Sequence, residues 1–328
     1  MSDHIAHIAI CDDVTRLAAV HPDIDPNLAA VLTQFRDDAH LGTITRHADK
    51  WSAELLANCR DAIASAEPID PNANRSSVDG GYATGPLPQR KLAFILGSLA
   101  HRAADRLTKP ITHSLPKSVD SAPRYGSGNP ANESKILQDL MVFKEVYASG
   151  NPQNPGSVPG LTQHVLTALT GEPEANAELL FRTLLRRALI AMHTLNPDDD
   201  HPDAWIEQLL TRLQTYPKSM YQYAQLAADW PQDKVRQYLT EPNFYCRDDT
   251  LIQTARALQH GSSVTPEHVA DAHQQTPYTD AAKSRYARAL SRALDYLLVA
   301  GQLYRSEIDT DTARTGFDVG VPELTVTD

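Results

Sequence analysis

The chain has 328 residues, 41% hydrophobic and 22% charged, which is a globular composition and excludes disorder. Its net charge of −11 at pH 7 argues against a nucleic-acid carrier or a binder of anionic membranes working by bulk electrostatics. Aromatic residues are few (6%), and alanine and leucine outweigh valine and isoleucine, so helices are expected throughout.

In chain order, residues 4–19 read as a first helix, on which His4, His7 and Cys11 share a stripe that Val14 continues. These are three candidate ligands for a borderline metal, and His7 is preferred because it lies inside the helix. A second helix is expected from Pro26 to Leu41, with Asp25 as cap, Pro26 in the first position and Gly42 as stop. Its core face is Leu28, Val31, Leu32, Phe35 and Ala39. The turn-rich stretch 41–51 holds His47 and Asp49, and a third helix follows from Trp51 to Ala66. Residues 67–89 are rich in proline, glycine, asparagine and serine and predict a long loop.

Lys91–Pro110 forms the strongest periodic stretch. Leu92, Ile95, Leu96, Leu99, Ala100, Ala103 and Leu107 make a broad apolar face that also carries His101 and, one turn later, Asp105. Side chains four apart on a helix are neighbours, so this pair suits either one shared ion or one satisfied core histidine. An irregular segment holding His113 is expected over 108–131, then a helix over 132–148. Beyond a loop at 150–160, helices are expected near 160–170, 174–195, 202–216, 218–228, 231–240, 248–260, 266–274 and 279–306, several separated by Pro217, Pro231 and Pro242. The tail from Asp309 to Asp328 reads as polar and loose. The organisation expected is a helical metal-site region over 1–150 and a helical region over 151–308 packed on it as one continuous domain, with 309–328 as the tail.

Cys11, Cys59 and Cys246 are odd in number and widely spaced, so neither a disulfide framework nor a zinc ribbon is indicated. No secretory leader or bilayer-length apolar run stands out, and a cytoplasmic protein is expected. Phosphate-binding loops, dinucleotide fingerprints, nucleophile elbows and HExxH are missing from the sequence. Histidines and carboxylates spread over several helices are what a metal site inside a bundle requires.

The segment FILGSLAHRAADRLTKP resembles the signature helix of the zinc-dependent phospholipase C family, related to the S1/P1 nucleases, with Gly97, His101, Asp105 and Pro110 in matching places. His7 matches an early family histidine, and Asp49 a metal-binding aspartate that ends a glycine-containing turn. The resemblance covers about residues 5–148. It implies a mainly α, multi-helix bundle of the phospholipase C/P1 nuclease type with long irregular loops. It also implies a metal set of His7, Asp49, His101, Asp105, His113 and Glu133.

In that set Glu133 stands where the family has a histidine and Leu137 where it has a glutamate. Zinc is the ion the resemblance implies, and the extra carboxylates shift preference toward Mn, Fe or Mg. The activity implied is hydrolysis of a small phosphate-containing substrate by metal-activated water, with Asp49 orienting that water. Arg46, Arg102 and Arg106 are local candidates for holding the phosphate. Two other readings of the residues stay open: a carboxylate-rich di-iron or di-manganese oxygenase, and a non-catalytic helical interaction protein on the same scaffold.

Overall fold

The computed structural model describes residues 4–44, 52–65, 87–113, 138, 141–142, 145–146 and 243–321. Among these, 74% are helical and none is in a strand, so the mainly α class holds. The helices are α1 (His4–Ala18), α2 (Pro26–Gln34), α3 (Arg36–Ile44), α4 (Ser52–Ser65), α5 (Leu87–His113), α6 (Thr250–Gln259), α7 (Pro266–Gln274), α8 (Arg285–Tyr304) and α9 (Thr310–Gly316). None of them is long and apolar enough to cross a membrane. The helices expected between 160 and 240, the loop at 150–160, and most of the loop at 67–89 lie outside the described residues. So does most of the helix expected over 132–148, of which Gln138, Val142 and Val146 are described as buried.

Local signals set most helix starts. Asp25 accepts from the Asn27 amide at 2.9 Å, with Pro26 in the first turn. Thr265, Ser284 and Asp309 cap α7, α8 and α9 in the same way, each accepting an amide two or three residues inside. The expected apolar face of α5 is buried throughout, and so is that of α8 from Tyr286 to Leu297. These two long helices pack on each other and on α1, α3 and α4 around one continuous core. α1 lies at the centre of it, with every residue from Ala6 to Thr15 buried.

Burying α1 requires partners for its acids, because an unpaired buried charge is costly. Asp12 accepts from His40 Nε2 at 2.6 Å and from Arg36 Nε at 2.7 Å, both on α3. Asp13 is held by Arg16 at 2.7 Å, by the Tyr286 hydroxyl at 2.8 Å, and by Arg256.

The expected single helix 26–41 is two helices. It breaks at Phe35 (φ −111°, ψ 43°), after which Arg36 and His40 face Asp12. Gly42 does not stop the chain but lies inside α3. A Cβ at Gly42 would sit 1.9 Å from the Phe94 carbonyl oxygen, and one at Gly97 2.0 Å from that of Ala39. The two glycines therefore allow α3 and α5 to approach backbone to backbone, which no side chain would permit. α5 is also longer than expected, running from Leu87 through Pro110 to His113. Proline removes one helix hydrogen bond there, yet Leu107 and Ile111 on either side are fully buried and keep the helix on the core.

The expected loose tail is instead ordered as far as Val321. α9 delivers Phe317 into the core at 0% exposure, and Asp318 accepts from Tyr296 at 2.9 Å and from Arg292. Arg102 donates to the Phe317 carbonyl at 2.6 Å, and Arg106 to the carbonyls of Asp318 and Val321 at 2.6 and 2.9 Å. These two arginines clamp the C-terminal turn rather than waiting for a phosphate. Arg46 lies outside the described residues.

His21 and His273 form a buried hydrogen-bonded pair, with the half-buried Asp295 beside it. The Asp23 amide donates to His21 Nδ1 at 3.2 Å, so His21 Nε2 carries the proton and donates to His273 Nδ1 at 3.2 Å. His273 Nε2 in turn faces the Ser291 carbonyl at 3.2 Å and Asp295 at 3.3 Å. Burial and the facing His273 lower the pKa of His21 below its ordinary 6.5, with Asp23 opposing. For Asp12, burial favours the neutral acid, but His40 and Arg36 more than offset it and hold the carboxyl well below its ordinary 3.8.

Both shifts make acid destabilising. The unfolded chain takes up protons at these groups at higher pH than the folded one, so stability rises with pH across each window. Denaturation midpoints at constant ionic strength should hold steady above about pH 6.5, and decline below it as His21 charges on unfolding. A second decline sets in below the ordinary carboxyl range as the contribution of Asp12 is lost. His21→Gln should remove the first stage and keep the second.

Candidate metal centre

α1 and α5 bring His7, His101 and Asp105 together, and these are the candidate ligands among the described residues whose ligating atoms converge, all within 4.8 Å. His7 and His101 are buried at 2% and 5% exposure, while Asp105 is partly open. The pair on α5 meets because four residues make one turn. His7 comes from α1, held there by the apolar run Ala6–Cys11, which is buried without a break. His7 Nε2 lies 3.3 Å from Asp105 Oδ1 and His101 Nε2 lies 3.4 Å from Asp105 Oδ2. The two imidazoles stack at 4.7 Å between centroids, 25° from parallel.

One hydrogen bond orients the centre. The His101 Nδ1–H donates to the Thr43 carbonyl at 2.8 Å, which leaves Nε2 as the nitrogen that faces Asp105 and is free to take an ion. Burial alone would raise the Asp105 carboxyl, but the facing His101 and His7 hold it well below its ordinary range. The side chain is thus a carboxylate, closely faced by two imidazole nitrogens.

These separations are long for charge-assisted hydrogen bonds, which run about 2.7–2.9 Å. They run to the two different oxygens of one carboxylate, and the ligating atoms of all three residues lie within 4.8 Å of one another, close enough to converge on a single ion. Two imidazole nitrogens and a carboxylate oxygen are also a donor set that zinc takes. The group therefore fits a divalent ion on geometry and on chemistry.

The remaining expected ligands are distributed differently. Asp49 and Glu133 lie outside the described residues, as does His47. His113 is the last residue of α5, eight positions and about 12 Å of helix axis beyond Asp105. Cys11 is buried behind the centre, and burial with the neighbouring Asp12 pushes its thiol up to about 12, so it stays protonated. His260 is exposed at the end of α6. A cleft of about 300 Å³ beside Asp12, Arg16 and Arg36 belongs to another face, because Arg16 is half a turn out of phase with His7 on α1.

Sequence reading missed Thr43, which contributes through its carbonyl, and the Asp12–His40–Arg36 network. The second had a signal: Asp12 and Asp13 interrupt an apolar helix and each demands a partner. Compared with protein-family models, curated proteins and solved structures, the chain gives no match.

Proposed function

We propose that this chain is a metal-dependent hydrolase that cleaves phosphoric esters with water activated at the His7–His101–Asp105 centre. The observation that carries the reading is the convergence of the ligating atoms of two imidazoles and one carboxylate within 4.8 Å, in a largely buried site where the carboxyl is kept ionised. A bound divalent ion would supply Lewis acidity, easing deprotonation of water and neutralising charge on a phosphoryl oxygen. His7 and His101 would hold that ion through Nε2, and the partly open Asp105 would meet it from the solvent side. The substrate class and the phospholipase C/P1 nuclease type of bundle come from the resemblance around Gly97–Pro110, as do the further ligands Asp49 and Glu133. Zinc is preferred because two of the three converging donors are imidazoles.

Metal analysis of the purified full-length chain, before and after incubation with zinc, decides the reading first. About one equivalent or more should be retained, and His101→Ala and Asp105→Ala should each weaken zinc binding by at least roughly 100-fold. Hydrolysis of chromogenic phosphate mono- and diesters should fall in parallel. A zinc-treated protein that retains no metal, or variants that bind zinc as the parent does, would overturn it.

A further inference from the structure

We propose that Thr43 is a positioning residue of the centre, fixing through its carbonyl the tautomer in which His101 presents Nε2, and gripping with its hydroxyl the same turn of α5. The inference rests on the reading of His7, His101 and Asp105 as a metal centre, and it extends that reading to a residue that touches none of the ligand positions.

Thr43 sits in the last turn of α3, where carbonyls have no amide partner within the helix and carry its partial negative charge. One such carbonyl points at His101 Nδ1, 2.8 Å away. An imidazole has two nitrogens, and a donor commitment at one decides what the other offers. With Nδ1–H engaged, Nε2 is the nitrogen left beside Asp105 and His7 to take a metal ion. The acceptor at the negative end of a helix also raises the basicity of the ring.

The side chain of Thr43 does a second thing. Its Oγ1–H donates to the Gly97 carbonyl at 2.9 Å. Gly97 and His101 are four residues apart, so Thr43 holds the two ends of the turn that carries the ligand. This grip exists only because Gly42 and Gly97 let the two backbones meet. Thr43 is 0% exposed, so it reaches no substrate and acts through His101 alone. Any other residue at position 43 keeps a carbonyl, but only a hydroxyl-bearing one keeps that carbonyl in place.

The test uses the full-length chain with Co²⁺ alone as probe, and three variants. Thr43→Val removes the hydroxyl, Thr43→Ser keeps it, and Thr276→Val removes a buried hydroxyl just past the end of α7 that bonds the Ala272 carbonyl at 2.9 Å, far from the centre in the chain. Cobalt affinity is read from visible absorption. The tautomer of His101 is read from the two-bond ¹H–¹⁵N pattern of its ring in metal-free protein, assigned by its loss in His101→Ala. Thr43→Val should weaken cobalt binding roughly 10- to 100-fold and lower the fraction of His101 rings that carry a proton on Nδ1 in the metal-free protein. Thr43→Ser should restore both readouts, and Thr276→Val should move neither. A Thr43→Val protein with the parent's tautomer and an affinity within twofold overturns the proposal, as does equal weakening by Thr276→Val. If the parent chain binds no cobalt, the metal reading falls while the tautomer measurement still decides the role of Thr43.

Discussion

Gly97→Ala is expected to destabilise the fold by about 3 kcal/mol or more, although alanine normally improves a helix interior by up to about 1 kcal/mol. The added Cβ would stand 2.0 Å from the Ala39 carbonyl oxygen and 2.7 Å from its carbon. Both are backbone atoms, which have no rotamer by which to yield. α3 and α5 would have to separate, breaking the Thr43–Gly97 and Thr43–His101 hydrogen bonds together. Urea or thermal unfolding checks the sign. Gly261→Ala serves as contrast: that glycine has open space around it and a φ of +74°, so its cost should be the left-handed penalty of about 1–2 kcal/mol. A Gly97→Ala protein as stable as the parent would show that the helices do not meet as closely as described.

The second large effect lies at the other end of the chain. Phe317→Ala should cost about 3–5 kcal/mol, the range for emptying a buried aromatic site. Phe317 has no exposed surface, packs edge-on against Tyr296 at 6.1 Å between centroids, and is flanked by the carbonyls that Arg102 and Arg106 hold. Removing residues 317–328 should be more damaging still. It would take from Arg102 and Arg106 the carbonyls of Phe317, Asp318 and Val321, and from Arg292 the Asp318 carboxylate. Denaturation curves of the two variants measure both losses, and near-parental midpoints would contradict a docked C-terminal turn.

Periodicity made the helices readable. The apolar stripes of α1, α2, α5 and α8, and the cap at Asp25, are local patterns whose physics acts within a few residues. His101 and Asp105 were readable for the same reason, as one helical turn. What escaped were relations between distant segments. Gly42 carries the mark of a helix stop, and only the position of Phe94 on another helix turns it into a packing contact. The residues after Asp309 are polar, and partners on distant helices hold them, among them Arg102 and Arg106 more than 200 positions earlier and Arg292 and Tyr296 on α8. Thr43 escaped altogether, because a carbonyl is common to every residue and leaves no trace in the sequence.

The central place of α1 has a consequence for synthesis. Its Asp13 carboxylate draws on Arg256 and Tyr286, 243 and 273 residues downstream. Until α6 and α8 have been made, two of the three partners of Asp13 do not exist, and burying α1 would leave its charge with Arg16 alone. α1 is thus among the last helices able to settle, and its apolar side stays open until then. Such long-range closure slows folding and exposes sticky surface to other chains, so production of this protein should gain from chaperones and low temperature.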